Sequence, residues 1–165
     1  TASATTFLRG DNSWAVAGGD NTPAFLATST TAQTVTNDVT TQIEIGNSIF
    51  DTDSAFDNVT NYRFTVPAGE GGKYLFQAQA LAWNSNSSGM KLAQLMVKLN
   101  GTTITQWSHD MRANHGGSIG FGSPFLLDLS AADYLELWGM MQATGTCKWY
   151  SEAVYRTSFG GFKLL

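Results

Sequence analysis

The stretch from Lys91 to Trp107, "KLAQLMVKLNGTTITQW", leaves the chain little choice of structure. Ala93, Leu95, Val97 and Leu99 alternate with Leu92, Gln94, Met96 and Lys98, a period of two that sends each set to its own face of a strand. Asn100-Gly101 then supplies the two residues tolerant of positive φ that a type I′ turn requires, and the chain returns through Thr102 to Trp107. A β-hairpin is predicted here.

The same pattern recurs elsewhere. In "KYLFQAQALAW", Tyr74, Phe76, Ala78 and Ala80 share one face, and Leu75, Gln77, Gln79 and Leu81 the other. In "SIGFGSPFLLDLS", Ile119, Phe121, Phe125, Leu127 and Leu129 oppose Gly120, Gly122, Pro124, Leu126 and Asp128. Small residues on that second face allow another backbone or subunit to come close, and Pro124, lacking an N–H, belongs at an edge or bulge. "AFLATST", "AQTVTN", "TQIEI", "NYRFTVP", "YLELWGMM" and "SFGGFKLL" read as further short strands, and no stretch keeps a helical period. The composition agrees: 13% of residues are charged and 17 are Gly, which suits strands joined by polar turns. The predicted fold is all-β, a ten-stranded jelly-roll β-sandwich.

At 165 residues the chain is one domain plus an arm, long enough to bury roughly 70% of its unfolded surface. Residues 1–22 are Ser/Thr/Ala/Gly-rich and read as a linker or N-terminal arm, with Phe7, Leu8 and Trp14 docking locally; residues 23–165 form the folded domain. The chain opens on Thr1 without Met, which suggests a piece of a longer or processed protein. The net charge is −4, and the 9 Lys and Arg are scattered, so no basic stripe exists for nucleic acid. No run of 18 apolar residues offers membrane insertion. The single Cys147 excludes an internal disulfide.

Four stretches, in order, resemble the jelly roll of the complement C-one-q and tumour necrosis factor superfamily. They are "PAFLA" (23–27), "FDTDSAFDNVTNYRF" (50–64), "RFTVPAGEGGKYLFQAQ" (63–79) and "AADYLELW" (131–138) followed by "SFGGFKLL" (158–165). The third carries the Phe…Gly-x-Tyr-x-Phe pattern at Phe64, Gly72, Tyr74 and Phe76, with Gly72 two positions further from Phe64 than usual; the last carries Phe159, Gly161 and Phe162. The segment "ASATTFLRGDNSWA" resembles a joint found in bacteriophage tail and head fibre proteins ahead of a distal domain. On that reading Arg9-Gly10-Asp11 is part of a structural joint rather than an integrin ligand, a short motif with many false positives.

The resemblance implies a homotrimer. The 10 Phe, 5 Tyr and 5 Trp exceed what one core needs, and contiguous exposed patches of that size are unusual on monomers. Tyr74, Phe76, Phe121, Phe159 and Phe162 are the candidate trimer-interface residues.

Candidate receptor-binding residues lie in polar segments. "WSHDMRANHGG" offers Trp107 for stacking on a sugar, with His109, Asp110, Arg112 and His115 around it, in a spacing that matches no zinc signature. Trp149 and Tyr150 offer further stacking surfaces, and Asn84 and Asn86 offer amides for hydroxyls. Asp51, Asp53 and Asp57 are weak candidates for a structural Ca2+. Asn58, Asn86 and Asn100 head glycosylation sequons, which carry no meaning in a bacterially made chain. No nucleophile elbow, zinc-protease or phosphate-loop motif appears, and no enzymatic activity is expected. The sequence thus points to a virion fibre head, tail or head, that binds a host surface saccharide or outer-membrane protein. The alternative is a purely structural module that trimerises or caps a fibre or capsid decoration.

Overall fold

The computed structural model describes residues 6–8, 10, 12–16, 21–113, 116–151 and 156–164. These residues form fifteen strands and no helix, so no helix among them is long and apolar enough to cross a membrane. At the N-terminal end β1 (Thr6–Leu8) and β2 (Trp14–Val16) pair antiparallel. The arm therefore holds a short hairpin; Arg9 and Asp11 lie outside the described residues, and Leu8 is exposed rather than docked.

Short strands come next: β3 (Ala24–Thr28), β4 (Gln33–Val35), β5 (Thr41–Gln42), β6 (Asn47–Asp51), β7 (Phe56–Asp57) and β8 (Arg63–Thr65). The long ones are β9 (Gly72–Asn84), β10 (Met90–Leu99), β11 (Thr102–Asp110), β12 (Ser118–Leu129) and β13 (Tyr134–Ala143). The last two are β14 (Cys147–Tyr150) and β15 (Ser158–Lys163). Alternation predicted the long strands well, and the hairpin turn has Asn100 at φ 50° and Gly101 at φ 80°, both in the left-handed region. Asn100 also clamps the neighbouring turn, donating from Nδ2 to Asp133 at 2.8 Å and accepting from the Tyr134 N–H at 2.9 Å.

Two antiparallel sheets make the sandwich. A six-stranded sheet runs β11-β10-β13-β8-β7, with β5 also on β13. In the seven-stranded sheet β9 is the hub: β12 takes one of its edges, β14 and β15 share the other, and β4, β3 and β6 extend outward. The fold is a jelly-roll β-sandwich. It has thirteen strands in its two sheets rather than the expected ten, because the Thr-rich pieces between 33 and 57 pair as separate strands of two to five residues.

The core lies between the sheets and is aromatic. Phe25 stacks on Phe56 and Phe64, with centroids 5.0 and 4.9 Å away, and meets Phe159 edge-on at 5.2 Å. Such pairs add about 0.5–1.5 kcal/mol each beyond area burial. This corrects the expected trimer-interface set. Tyr74, Phe76 and Phe159 are fully buried, and Phe121 nearly so, inside a single protomer. They point inward because Ala78, Ala80 and Ala82 continue the Tyr74–Phe76 face, leaving room for the opposite sheet. Of the five, only Phe162 lies on the outside, half-buried.

Candidate functional site

The outward faces of the two sheets differ in chemistry. On the six-stranded sheet, register sets Lys98, Glu136, Arg63 and Asp57 side by side across four strands, an alternating charge ladder. Lys98 Nζ sits 3.7 Å from the centre of the Trp138 ring and Arg63 lies 4.3 Å from that of Tyr134. The Trp138 indole N–H donates to Glu136 at 3.1 Å. Its aromatic rings are already capped by charge, as on a face that meets solvent.

The seven-stranded sheet presents the opposite. Ala24, Phe162, Leu75 and Leu126 are successive cross-strand neighbours, and beside them run Phe50, Leu26, Gly160, Gln77 and Pro124. These rows frame a shallow groove of about 370 Å³. Phe50 is 48% exposed and Leu126 64%. A polar rim closes the lower side, where Lys73 neighbours Asp128 in register and Lys163 pairs with Glu70 at 2.9 Å. β12 is paired on one edge only among the described residues, and a Cβ on Gly120 or Gly122 would meet nothing within 4 Å.

Further up this face the chemistry changes. Leu81 lies between Tyr150 and Gly120, and Trp83 between Lys148 and Ser118. The Trp83 and Tyr150 rings are 5.8 Å apart, with Lys148 5.8 Å from the first and Arg156 5.7 Å from the second.

The termini of the sandwich share one end of β9, since the Lys163 N–H donates to Pro23 and the Leu164 N–H to Lys73. The other end gathers residues 85–89, 116–117 and 144–146 around Asn84. Asn84 is buried: its Oδ1 accepts from the Asn86 N–H at 2.9 Å and its Nδ2 donates to Thr146 and Cys147. Asn84 is therefore a loop staple rather than a ligand-facing amide, because nothing outside can reach it. Asn86 is exposed but holds Ser88 and Thr144. Burial pushes the Cys147 thiol up, partly offset by the Asn84 hydrogen bond, which leaves it unreactive.

The described candidates of "WSHDMRANHGG" lie apart: Trp107 and His109 face one way and Asp110 with Arg112 makes a turn. Trp107 and His109 sit on the inward side of edge strand β11, at 6.1 Å from Phe125 and 5.0 Å from Phe121, where they close the gap between the sheets. Asp110 accepts from both the N–H and the guanidinium of Arg112, an exposed turn contact. His115 lies outside the described residues. Trp149 is corrected outright: it is 1% exposed, packed between the sheets, because its neighbour Lys148 takes the outward position and alternation turns Trp149 in with Cys147. Tyr150 does face out.

The three Asp candidates for Ca2+ each hold a local partner. Asp51 accepts from the N–H groups of Ala55 and Phe56, both at 2.9 Å. Asp57 accepts from the N–H groups of Val59, Thr60 and Asn61, and these bonds hold its pKa down at about 2. Asp53 engages the Thr52 hydroxyl. Each carboxylate bends the chain locally, and among the described residues no three His, Cys, Asp or Glu converge on one point.

The fold is a jelly-roll sandwich, similar to solved domains of complement and tumour necrosis factor proteins. The globular domain of zebrafish complement 1qA protein is similar at a TM-score of 0.57 and 15% identity, over 87% of this chain and 98% of that one. Eiger TNF from S. frugiperda is similar at 0.60 and 14%, over 86% of this chain and 91% of that one. At these identities the likeness is one of fold. No protein-family model matches the sequence, and no curated protein does.

Proposed function

We propose that this chain is the head domain of a homotrimeric bacteriophage fibre, displayed on the virion, and that the trimer binds a host-cell surface component, foremost a saccharide. The observation that carries the association is the pair of apolar rows on the seven-stranded sheet, from Phe50 and Leu26 to Leu126, opposite a charge-laddered face that has no need of a partner. Self-association through that face buries Phe50, Leu75, Leu126 and Phe162, the outward residues, in place of the inward set expected from sequence. Threefold rather than twofold symmetry follows from the family resemblance, and the fibre context from "ASATTFLRGDNSWA". Three weak sites on one rigid head act by avidity, raising apparent affinity by about a hundredfold or more. The reading needs no catalytic residue and no cofactor.

A second reading, a structural cap that binds nothing, is favoured by the loops themselves. Residues 85–89 and 144–146 are short, polar and hydrogen-bonded to one another. The deciding experiment pairs sedimentation equilibrium with binding of the labelled domain to a panel of bacterial cells, intact and stripped of lipopolysaccharide. A mass three times the protomer with saturable binding lost on stripping supports the adhesin. A trimer that binds no cell leaves the cap, and a monomer at micromolar concentration overturns both.

A further inference from the structure

We infer that Asn100 is a latent site of spontaneous deamidation, held in check by a clamp on its side chain. Its conversion to aspartate or isoaspartate unlatches the β10–β11 turn from the turn between β12 and β13. The inference is independent of what the domain binds.

The chemistry belongs to the Asn-Gly step, and Asn100-Gly101 is the one such pair in the chain. The backbone nitrogen of Gly101 attacks Cγ of Asn100 and forms a C–N bond. The bond from Cγ to Nδ2 breaks, and the proton lost by the Gly101 nitrogen leaves with Nδ2 as ammonia. The cyclic imide then takes up one water at either of its carbonyls, which yields aspartate or isoaspartate. The net change is water in and ammonia out, with no oxidant or reductant. Glycine favours the attack because no Cβ stands beside its nitrogen. Both residues are exposed, so water has access.

Geometry holds the reaction back. Asn100 stands at φ 50° in the hairpin turn, and both ends of its amide are engaged. Nδ2 donates to Asp133 at 2.8 Å, and Oδ1 accepts from the Tyr134 N–H at 2.9 Å. Its backbone N–H also donates to the Tyr134 carbonyl, at 3.0 Å. Attack requires the amide to turn its carbon toward the Gly101 nitrogen, so the clamp must open first. Asp133 is itself fixed: it accepts from the Ser130 N–H at 2.8 Å, and its own N–H donates to the Ser130 carbonyl at 3.1 Å. The Asn100 amide, then the Ser130 N–H, hold the Asp133 carboxyl below its ordinary pKa. The clamp bond therefore runs to an ionised carboxylate and is of the stronger, charge-assisted kind.

Conversion reverses the sign of that contact. An aspartate at 100 brings an oxygen to the place of Nδ2, carboxylate against carboxylate where a donor had stood. An isoaspartate adds a backbone carbon inside the turn and spoils the fit that holds Asn100 and Gly101 in the left-handed region. Either product gives up the link between the hairpin and the Ser130–Asp133 turn.

The test follows conversion at Asn100 by peptide mapping with mass spectrometry, after the whole domain is incubated in warm, mildly alkaline buffer. The free peptide VKLNGTTI, residues 97–104, is the unclamped reference. The folded domain should convert about tenfold or more slowly than the peptide, and Asp133→Ala should speed the domain by roughly tenfold. Val35→Ala, which lies near Cys147 and Asn84 at the other end of the sandwich, controls for general loss of stability. Asn100→Asp, the product made directly, should lower the urea midpoint at neutral pH. Near-UV circular dichroism checks folding; the peptide comparison and Asn100→Asp both stand if Asp133→Ala is disturbed. Conversion of the domain at the peptide's rate overturns the inference, as does a rate unmoved by Asp133→Ala or raised equally by Val35→Ala. An Asn100→Asp midpoint equal to that of the wild type overturns the unlatching.

Discussion

A Cβ on Gly139 would come within 2.0 Å of Cζ2 of Trp149, so the indole occupies the room that any side chain at 139 would need. Gly139 is on β13 and Trp149 on β14, and their contact is where the two sheets of the sandwich meet. Gly139→Ala is expected to cost about 2–3 kcal/mol, since the ring can move only by disturbing Phe121, 6.3 Å away. Trp149→Ala leaves a cavity and costs about 3–5 kcal/mol. Urea unfolding followed by fluorescence measures both; a change below about 0.5 kcal/mol for Gly139→Ala would show that the indole is not fixed there.

Trp149 also shows what the sequence did and did not reveal. The period of two was enough for every long strand, for the Asn100-Gly101 turn, and for the outward Gly120, Gly122 and Leu126 of β12. It was also enough to turn Trp149 inward, because Lys148 beside it has to face water; the aromatic pair in a polar context drew attention away from that signal. The inward face of β9 was legible in the same way, through Ala78, Ala80 and Ala82 behind Tyr74 and Phe76. The cluster of Trp83, Lys148, Tyr150 and Arg156 was not legible, since it joins β9 and β14 across about 65 residues by a pairing that no local pattern encodes. The buried role of Asn84 was hidden for the same reason: its partners Thr146 and Cys147 come from a distant turn.

Asp57 should leave a mark on acid stability. Its carboxylate accepts from the backbone N–H groups of Thr60 and Val59 and from Asn61, which lowers its pKa from 3.8 to about 2. A lowered folded pKa adds stability that is complete above about pH 4 and disappears as pH falls toward about 2. The group is largely solvated, so the contribution is no more than about 1 kcal/mol. Urea midpoints of wild type and Asp57→Asn, compared at steps from pH 6 to 2.5, should differ by a constant amount at the upper end and converge at the lower. A difference that grows on acidification contradicts this account.

Tyr74 acts at the alkaline end. Burial, then the charges of Glu70 and Asp53, raise its pKa from 10.0 to about 12, and its hydroxyl donates to the Glu70 carbonyl at 2.5 Å. The unfolded chain loses this proton near pH 10, so the contribution is complete below that value and is lost between about 10 and 12. In a spectrophotometric titration Tyr74 should ionise near pH 12, and Tyr74→Phe should abolish that late step. Tyr74→Phe also removes a hydrogen bond of about 1 kcal/mol. If the late step survives in the variant, another tyrosine is its source.

The glycines of β12 separate protomer stability from assembly. Gly120 and Gly122 face outward with nothing within 4 Å of an added Cβ, and neither has a positive φ, so a side chain costs the isolated protomer little. Gly161, by contrast, has Phe76 Cδ1 at 2.4 Å from an added Cβ, so Gly161→Ala should unfold the protomer in preference to the assembly. If copies of this chain associate through the seven-stranded sheet, the bare backbone at 120 and 122 is where a neighbour comes closest. The double variant Gly120→Leu/Gly122→Leu should then keep its urea midpoint within about 0.5 kcal/mol at low protein concentration, strand propensity rising as Gly is replaced. At high concentration it should sediment as a monomer where the wild type sediments as a trimer. Leu126→Arg, on the same strand and face, should act alike by placing a charge in an apolar row. A double variant that stays fully trimeric means the contact lies elsewhere, and the six-stranded face with its Lys98–Glu136–Arg63 ladder becomes the next surface to substitute.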